Sequence, residues 1–258
     1  MTQVEGARIV VVGGVRRLGR ELALDLAAHG AAVCVTSRAT GAETEAVVRE
    51  LAAAGAANAA AIQADVRVPD AGAALIAAAG AALGGLDAVV YAASGPFAPM
   101  PPQEISEAAW NASFETIAKG FFTVACAARN EFVRQAKGRT GSAAREAGVL
   151  IAITDHLGLH PWTAFAAHGA AKAAQIHLVR QLARAWAPDG VRVCGVAPGP
   201  VDLKDDEHRA ATLRATASAA APRLVAAADI GRAVRFCLET DGVTGINIPV
   251  DNGALLTR

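Results

Sequence analysis

The chain has no surplus of charge. Its 258 residues carry 24 Lys and Arg against 24 Asp and Glu, a formal net charge of +0. With no basic excess, neither nucleic acid nor an anionic membrane is expected as a partner. Cysteine is sparse, and Cys34, Cys126, Cys194 and Cys237 lie far apart with no C-x-x-C pair. That spacing excludes a disulfide framework and a zinc ribbon, and it reads as buried thiols in a reducing compartment. No signal peptide is expected, because the first eight residues run straight into a strand-like segment. No apolar run is long enough to span a bilayer, because the alanine-rich stretch 71–82 is short and broken by glycine. A cytoplasmic location is the expectation. His156, His160 and His168 lie close in sequence, but they follow a strand-like run rather than sharing one helix face, so no metal site is expected.

What is present is an alternation. Short apolar runs at 9–12, 32–36, 61–64, 87–91, 149–154, 191–196 and 246–250 read as strands. Helix-period segments at 18–28, 42–54, 70–83, 106–137, 165–187 and 227–239 separate them, several ending at glycine. Stretches 138–148 and 202–222 read as loops, the second opening on a charged run. Continuous apolar strands alternating with helices imply a parallel sheet covered on both faces. The fold class expected is α/β, a doubly wound (Rossmann) and mostly parallel seven-stranded sheet with helices on both faces. No repeat or linker divides it, so residues 1–258 read as a single dinucleotide-binding domain.

The first strand runs into Val12-Gly13-Gly14-Val15-Arg16-Arg17-Leu18-Gly19, and a helix follows at once. Glycine lets the backbone approach a pyrophosphate, and the helix N-terminus supplies unpaired N–H groups and a positive dipole end. Gly13, Arg16, Arg17, Leu18 and Gly19 are therefore candidate cofactor residues. The second strand ends at Thr36-Ser37-Arg38. An acid there would hold a ribose 2′-hydroxyl, whereas arginine accommodates a 2′-phosphate. Ser37 and Arg38 accordingly favour NADP(H) over NAD(H).

These motifs resemble the short-chain dehydrogenase/reductase family, and within it the pteridine reductase branch. The family's T-G-x-x-x-G-x-G turn carries Arg17 at its middle glycine, as pteridine reductases do. Asp65-Val66 is similar to the adenine-binding dipeptide. Pro198-Gly199-Pro200-Val201 resembles the segment that touches the nicotinamide, through Pro198, Gly199 and Val201. Thr244-Gly245 and Val250-Asp251-Asn252-Gly253 resemble the C-terminal T-G and V-D-G-G segments, with Asn252 replacing a glycine. The family's N-N-A-G is replaced by Tyr91-Ala92-Ala93-Ser94, so Ala92, Ala93 and Ser94 are the implied cofactor neighbours. The resemblance also implies a small-molecule substrate and a homotetramer or homodimer.

The resemblance implies a catalytic set as well. The family uses Asn, Ser, Tyr and Lys, with Asp replacing Ser in pteridine reductases. Asp155 occupies the Ser place and Lys172 the Lys place, but His168 stands where tyrosine belongs, giving H-x-x-x-K. The family's helix asparagine is Ile117, so a water relay through it is excluded. Positions four apart face one side of a helix, and a placed histidine exchanges protons near neutral pH. Asp155, His168 and Lys172 are thus the candidate catalytic residues. Phe97, beside Pro96, and Trp162 are candidates to line a flat substrate pocket. The implied activity is reduction of a C=O or C=N bond. The competing reading is a family member that binds cofactor but serves a non-redox or regulatory role.

Overall fold

A computed structural model describes residues 3–95, 97–137, 146–203 and 223–256. Seven strands form one sheet: β1 (Arg8–Val12), β2 (Ala32–Ser37), β3 (Asn58–Gln63), β4 (Ala88–Tyr91), β5 (Gly148–Ile153), β6 (Val191–Pro198) and β9 (Asn247–Val250). Their order is β3-β2-β1-β4-β5-β6-β9, and every neighbouring pair is parallel. Two short strands, β7 (Val201–Asp202) and β8 (Val225–Ala226), pair beside it. The helices are α1 (Arg17–Ala28), α2 (Ala42–Ala54), α3 (Ala71–Leu83), α4 (Glu107–Phe114), α5 (Gly120–Ala136), α6 (Ala166–Trp186) and α7 (Ala227–Glu239).

The period-two alternation of side chains explains the two covered faces. Ile9 and Val11 of β1 join one core with Leu22 and Leu26 of α1 and Ile230 and Val234 of α7. Val10 and Val12, one residue out of phase, join a second core with Leu75 of α3, Phe121 and Phe132 of α5 and Val179 of α6. The central strands therefore have no wet face and read as apolar runs, while the edge strands β3 and β9 are half-buried. No described helix is long and apolar enough to cross a membrane.

The strand order reverses between β1 and β4. In an open parallel sheet that point leaves a crevice beyond the carboxyl ends of the strands, where ligands bind. The turn after β1, the segment after β4 and the end of β5 all converge there.

Two expectations shift. The third strand begins earlier, at Asn58, because its register is set by β2 pairing (Ala32 with Asn58) rather than by its own alanines. The helical stretch 106–137 is not one helix. A π-helical turn at Glu115–Lys119 separates α4 from α5. The expected loops at 138–148 and 202–222 fall largely outside the described residues, as does Pro96.

Candidate active site

At the cofactor end, Gly13 has φ +80, in the left-handed region. A Cβ on it would lie 2.9 Å from both Cα and N of Ala93, so only glycine lets the β1 turn meet the segment after β4. The Gly13 N–H donates to Thr36 Oγ1 at 3.1 Å, tying the turn to the end of β2. Ala92 N donates to Val12 O at 2.9 Å. Arg17 takes φ +51, the conformation the resemblance assigns to a glycine. A non-glycine residue held there costs of order 1–3 kcal/mol, and such outliers cluster at ligand sites.

Not every arginine of this end points at the crevice. Arg16 Nε is bound to Glu43 of α2 at 2.7 and 2.8 Å, so its charge is already partnered. Arg38 is exposed at the end of β2, and its carbonyl accepts from Gln63 Nε2 at 3.0 Å. Ser37 Oγ accepts from Ala39 N at 3.4 Å. Asp65 carries a partner that sequence reading missed: Arg67 donates to it at 2.9 and 2.5 Å. That hydrogen bonding holds the Asp65 carboxyl down at about 2.

On the far side of the crevice, β6 turns through Pro198 and Gly199 into β7. Gly199 N donates to Val250 O at 3.0 Å, joining this turn to β9. Asn252 takes φ 52, where asparagine substitutes for glycine at small cost. Its side chain donates to Leu224 O at 3.0 Å.

The catalytic candidates meet at the end of β5. Asp155 caps a short 3-10 turn, His156–Gly158, its Oδ1 accepting from Leu157 N at 2.8 Å. That turn is pressed against α6: a Cβ on Gly158 would come within 2.8 Å of the Ala173 backbone nitrogen. The close approach puts Asp155 Oδ2 3.1 Å from His168 Nε2. Lys172, one turn further along α6, donates to Ile153 O at 2.7 Å and to Gln175 Oε1 at 3.2 Å. The three residues predicted from the motif are thus in one cluster.

A fourth member was not predicted. His156 Nδ1 lies 3.1 Å from Asp155 Oδ1 and 3.1 Å from Pro198 O. Burial pushes the Asp155 carboxyl up, but the hydrogen bonds from His156 and His168 outweigh it and hold it well below the usual carboxylate range. Burial drives His168 below 6.5, against an opposing pull from Asp155 and with a further push down from Lys172 and His156. Burial likewise brings the Lys172 ammonium down to about 8, again opposed by Asp155. The site therefore holds an ionised carboxylate at Asp155, a neutral-leaning imidazole at His168 and a softened lysine at Lys172.

Aromatic rings roof this cluster. Phe97 stacks on Phe165 at 4.6 Å and meets the His168 ring edge-on at 4.8 Å. Trp162 meets the His156 ring at 5.1 Å. Phe97 and Trp162 were expected at the substrate; Phe165, which bridges them, was not. Beside His168 lies a small apolar pocket lined by Met100, Ile105, Ala109, Ser113 and Phe165 among others. The only tyrosine, Tyr91, is fully buried and its hydroxyl is spent on Thr116 O of the π turn, to which it donates at 2.5 Å. Ile117 is also buried there. Among the described residues, no group of three or more His, Cys, Asp or Glu could hold a metal.

Comparison with known proteins identifies the family to which this fold belongs. The model of the short chain dehydrogenase family matches residues 7–212. A cis-4-hydroxycyclohexanecarboxylate dehydrogenase of Sinomonas cyclohexanicum is 33% identical over 249 residues, covering 95% of this chain and 94% of that protein. A peroxisomal 2,4-dienoyl-CoA reductase of Rattus norvegicus is 28% identical over 254 residues, covering 96% and 83%. A short chain dehydrogenase from Burkholderia cenocepacia, solved in complex with NADP, superposes with a TM-score of 0.83 at 27% identity, over 98% of this chain and 99% of that one. The chain belongs to the short-chain dehydrogenase family, and it is an oxidoreductase of that family by descent.

Proposed function

We propose that the protein is an NADP(H)-dependent reductase, acting in the cytoplasm as a single dinucleotide-binding domain on a C=O or C=N bond of a small, flat substrate. The observation that carries this reading is the 3.1 Å contact of His168 Nε2 with Asp155 Oδ2, beside a buried Lys172 fixed to the end of β5. The crevice fits the cofactor, since the Gly13 turn leaves room for backbone only and Arg38 is exposed where a 2′-phosphate would lie. The NADP bound by the Burkholderia cenocepacia relative supports the same choice.

In this reading the nicotinamide supplies hydride. Gly13, Arg17, Leu18 and Gly19 hold the phosphates, Arg16 flanks them with its guanidinium tied to Glu43, and Ser37 and Arg38 hold the 2′-phosphate. Asp65 and Val66 receive the adenine, with Arg67 keeping the Asp65 carboxylate ionised. Ala92, Ala93, Ser94, Pro198, Gly199 and Val201 line the nicotinamide half, and Lys172 holds the ribose. His168 gives the proton, Asp155 orients it, and Phe97 and Trp162 flank the substrate. Arg17, Ser94 and Asp155, the features shared with pteridine reductases, support a planar substrate. The apolar pocket beside His168 suits a hydrocarbon body, in keeping with the cyclohexane and acyl substrates printed in the relatives' names.

The test is fluorescence titration with NADPH and NADH, followed by absorbance assays with ketones, imines and dihydropteridines. One charge-assisted contact to the 2′-phosphate is worth about 1.5–3 kcal/mol, a tenfold or larger preference for NADPH. Arg38→Ala removes that preference; an unchanged preference contradicts the assignment. A second reading, cofactor binding without redox turnover, draws on the burial of His168 where the family has tyrosine. NADPH binding with no turnover of any substrate would favour it.

A further inference from the structure

His156 is the one member of the Asp155 cluster to which the reductase reading gives no task. It is 4% exposed. Its Nδ1 faces two acceptors at once, Asp155 Oδ1 and Pro198 O, both at 3.1 Å. A carboxylate oxygen and a carbonyl can only accept, so Nδ1 carries the hydrogen and Nε2 is the bare nitrogen. The same reasoning applies to His168. Its Nε2 faces Asp155 Oδ2 at 3.1 Å and therefore carries the hydrogen. The nitrogens left over, His156 Nε2 and His168 Nδ1, are buried and have no hydrogen-bond partner among the described residues. One carboxylate thus bridges two imidazoles, an oxygen to each.

We propose that His156 is a positioning residue: it pins Asp155 from the Pro198 side, so that the carboxylate fixes His168 in its Nε2–H form and His168 exchanges its proton through Nδ1. The proposal rests on the reductase reading for the use of that proton, and on geometry alone for the arrangement. Asp155 is anchored on one oxygen by Leu157 N and His156. Only its other oxygen remains for His168. A carboxylate so held selects the tautomer and orientation of the imidazole it faces, which is what an orienting acid does for a catalytic histidine. In reduction, imidazolium His168 releases the Nδ1 proton to the substrate heteroatom. That atom takes up the electron pair displaced as hydride bonds to the neighbouring carbon. The ring is left neutral with Nε2–H still on Asp155, and it regains a proton from solvent before the next turnover. The arrangement also stands in for the helix asparagine relay that Ile117 excludes, because the order at His168 comes from β5 and β6 instead of from the α4–α5 rod. The groups that face His168 are Asp155, His156 and Lys172, so any pH response of the ring reports on these three.

Long-range ¹H–¹⁵N correlation spectra of the ¹⁵N-labelled full chain read tautomers without substrate. The chain has six histidines, and substitution assigns the two that matter. The expected spectra show His156 as Nδ1–H and His168 as Nε2–H; the opposite tautomer at either ring overturns the proposal. His156→Asn, which keeps a donor near the Nδ1 place, should leave the His168 tautomer and titration midpoint unchanged. His156→Phe, which removes the donor, should mix the His168 tautomers and move that midpoint by half a pH unit or more. An unmoved midpoint and tautomer in His156→Phe show a merely structural residue. If His156→Phe fails to fold, the tautomers of the parent still decide. With any turned-over substrate, His156→Phe should lower kcat and leave the KM for NADPH unchanged, and His156→Asn should restore kcat. A parent that never oxidises NADPH but shows these tautomers overturns the reductase reading and not the arrangement.

Discussion

His168 and Lys172 sit one turn apart on α6, and burial disfavours the charged form of both. In the proposed reductive role the imidazolium is the reactive form, so turnover should fall as pH rises, with a midpoint below the ordinary 6.5 of histidine. His168→Phe should lower kcat by roughly 10²–10⁴-fold, the usual worth of a general acid, with NADPH affinity nearly intact. His168→Tyr should keep or raise activity. A rate flat from acidic pH to about 9 argues against histidine if chemistry limits the rate. Lys172 gives a stability signature of its own. The folded state releases its proton near pH 8 and the unfolded chain only near 10.5, so between these values the unfolded state binds more protons and stability rises with pH. Urea unfolding should show the parent gaining up to about 3 kcal/mol across that window relative to Lys172→Met; parallel curves contradict the shift. Asp155 and Lys172 were legible because each stands at a fixed place in a motif. His156 was not, because its meaning comes from Pro198 O, 42 residues away in sequence, and no local spacing records that contact.

At the scale of elements, the alternation was readable because both faces of the central sheet are covered and strands β1, β4 and β5 are therefore almost continuously apolar. Where that signal weakens, the reading drifts. β3, Asn-Ala-Ala-Ala-Ile-Gln, is poor in the β-branched residues that mark strands, and its register with β2 fixes it instead. The π turn was invisible because the apolar pattern runs through it without a break. Its setting is tertiary: the Tyr91 hydroxyl donates to Thr116 O, and the ring edge meets Phe121 at 5.5 Å. A Cβ on Gly120 would come within 2.5 Å of that hydroxyl, so the rod carries its one compatible residue at the crossing. Tyr91→Phe keeps the ring and deletes the donor, leaving the half-buried Thr116 carbonyl short of its partner. The expected cost is about 1–3 kcal/mol, seen as a lower urea midpoint at an unchanged m-value. An unchanged midpoint would mean that the π turn stands without the tyrosine.

At the scale of the whole molecule, the chain buries two full cores and still leaves large apolar side chains in water. Trp110 is 41% exposed and stacks on Phe114 at 5.0 Å, and Phe122 further along the same rod is 44% exposed. At another place, α7 leaves Phe236 48% exposed, and Leu256 near the C-terminal end is 70% exposed. Single exposed apolar residues are ordinary, but paired aromatics on helices that otherwise pack inward mark surfaces for association. A stable interface buries on the order of 1,200–2,000 Å², and closed two-fold symmetry is the commonest way for identical chains to make one. Two such surfaces on one chain make a tetramer, and one makes a dimer. Light scattering at micromolar concentration should therefore report a homotetramer or a homodimer. The surfaces can be separated by charge. Trp110→Asp with Phe122→Asp should break the contact along the α4–α5 rod, and Phe236→Asp with Leu256→Asp the one at α7. If the parent is a tetramer, each double variant should halve its mass; if it is a dimer, only one of them should. Because α4 and α6 both border the His168 pocket, loss of the first surface should also loosen substrate binding while sparing the glycine turn after β1. A parent that scatters as a monomer, or variants that keep its mass, would remove association from the account and leave those aromatics to the substrate side alone.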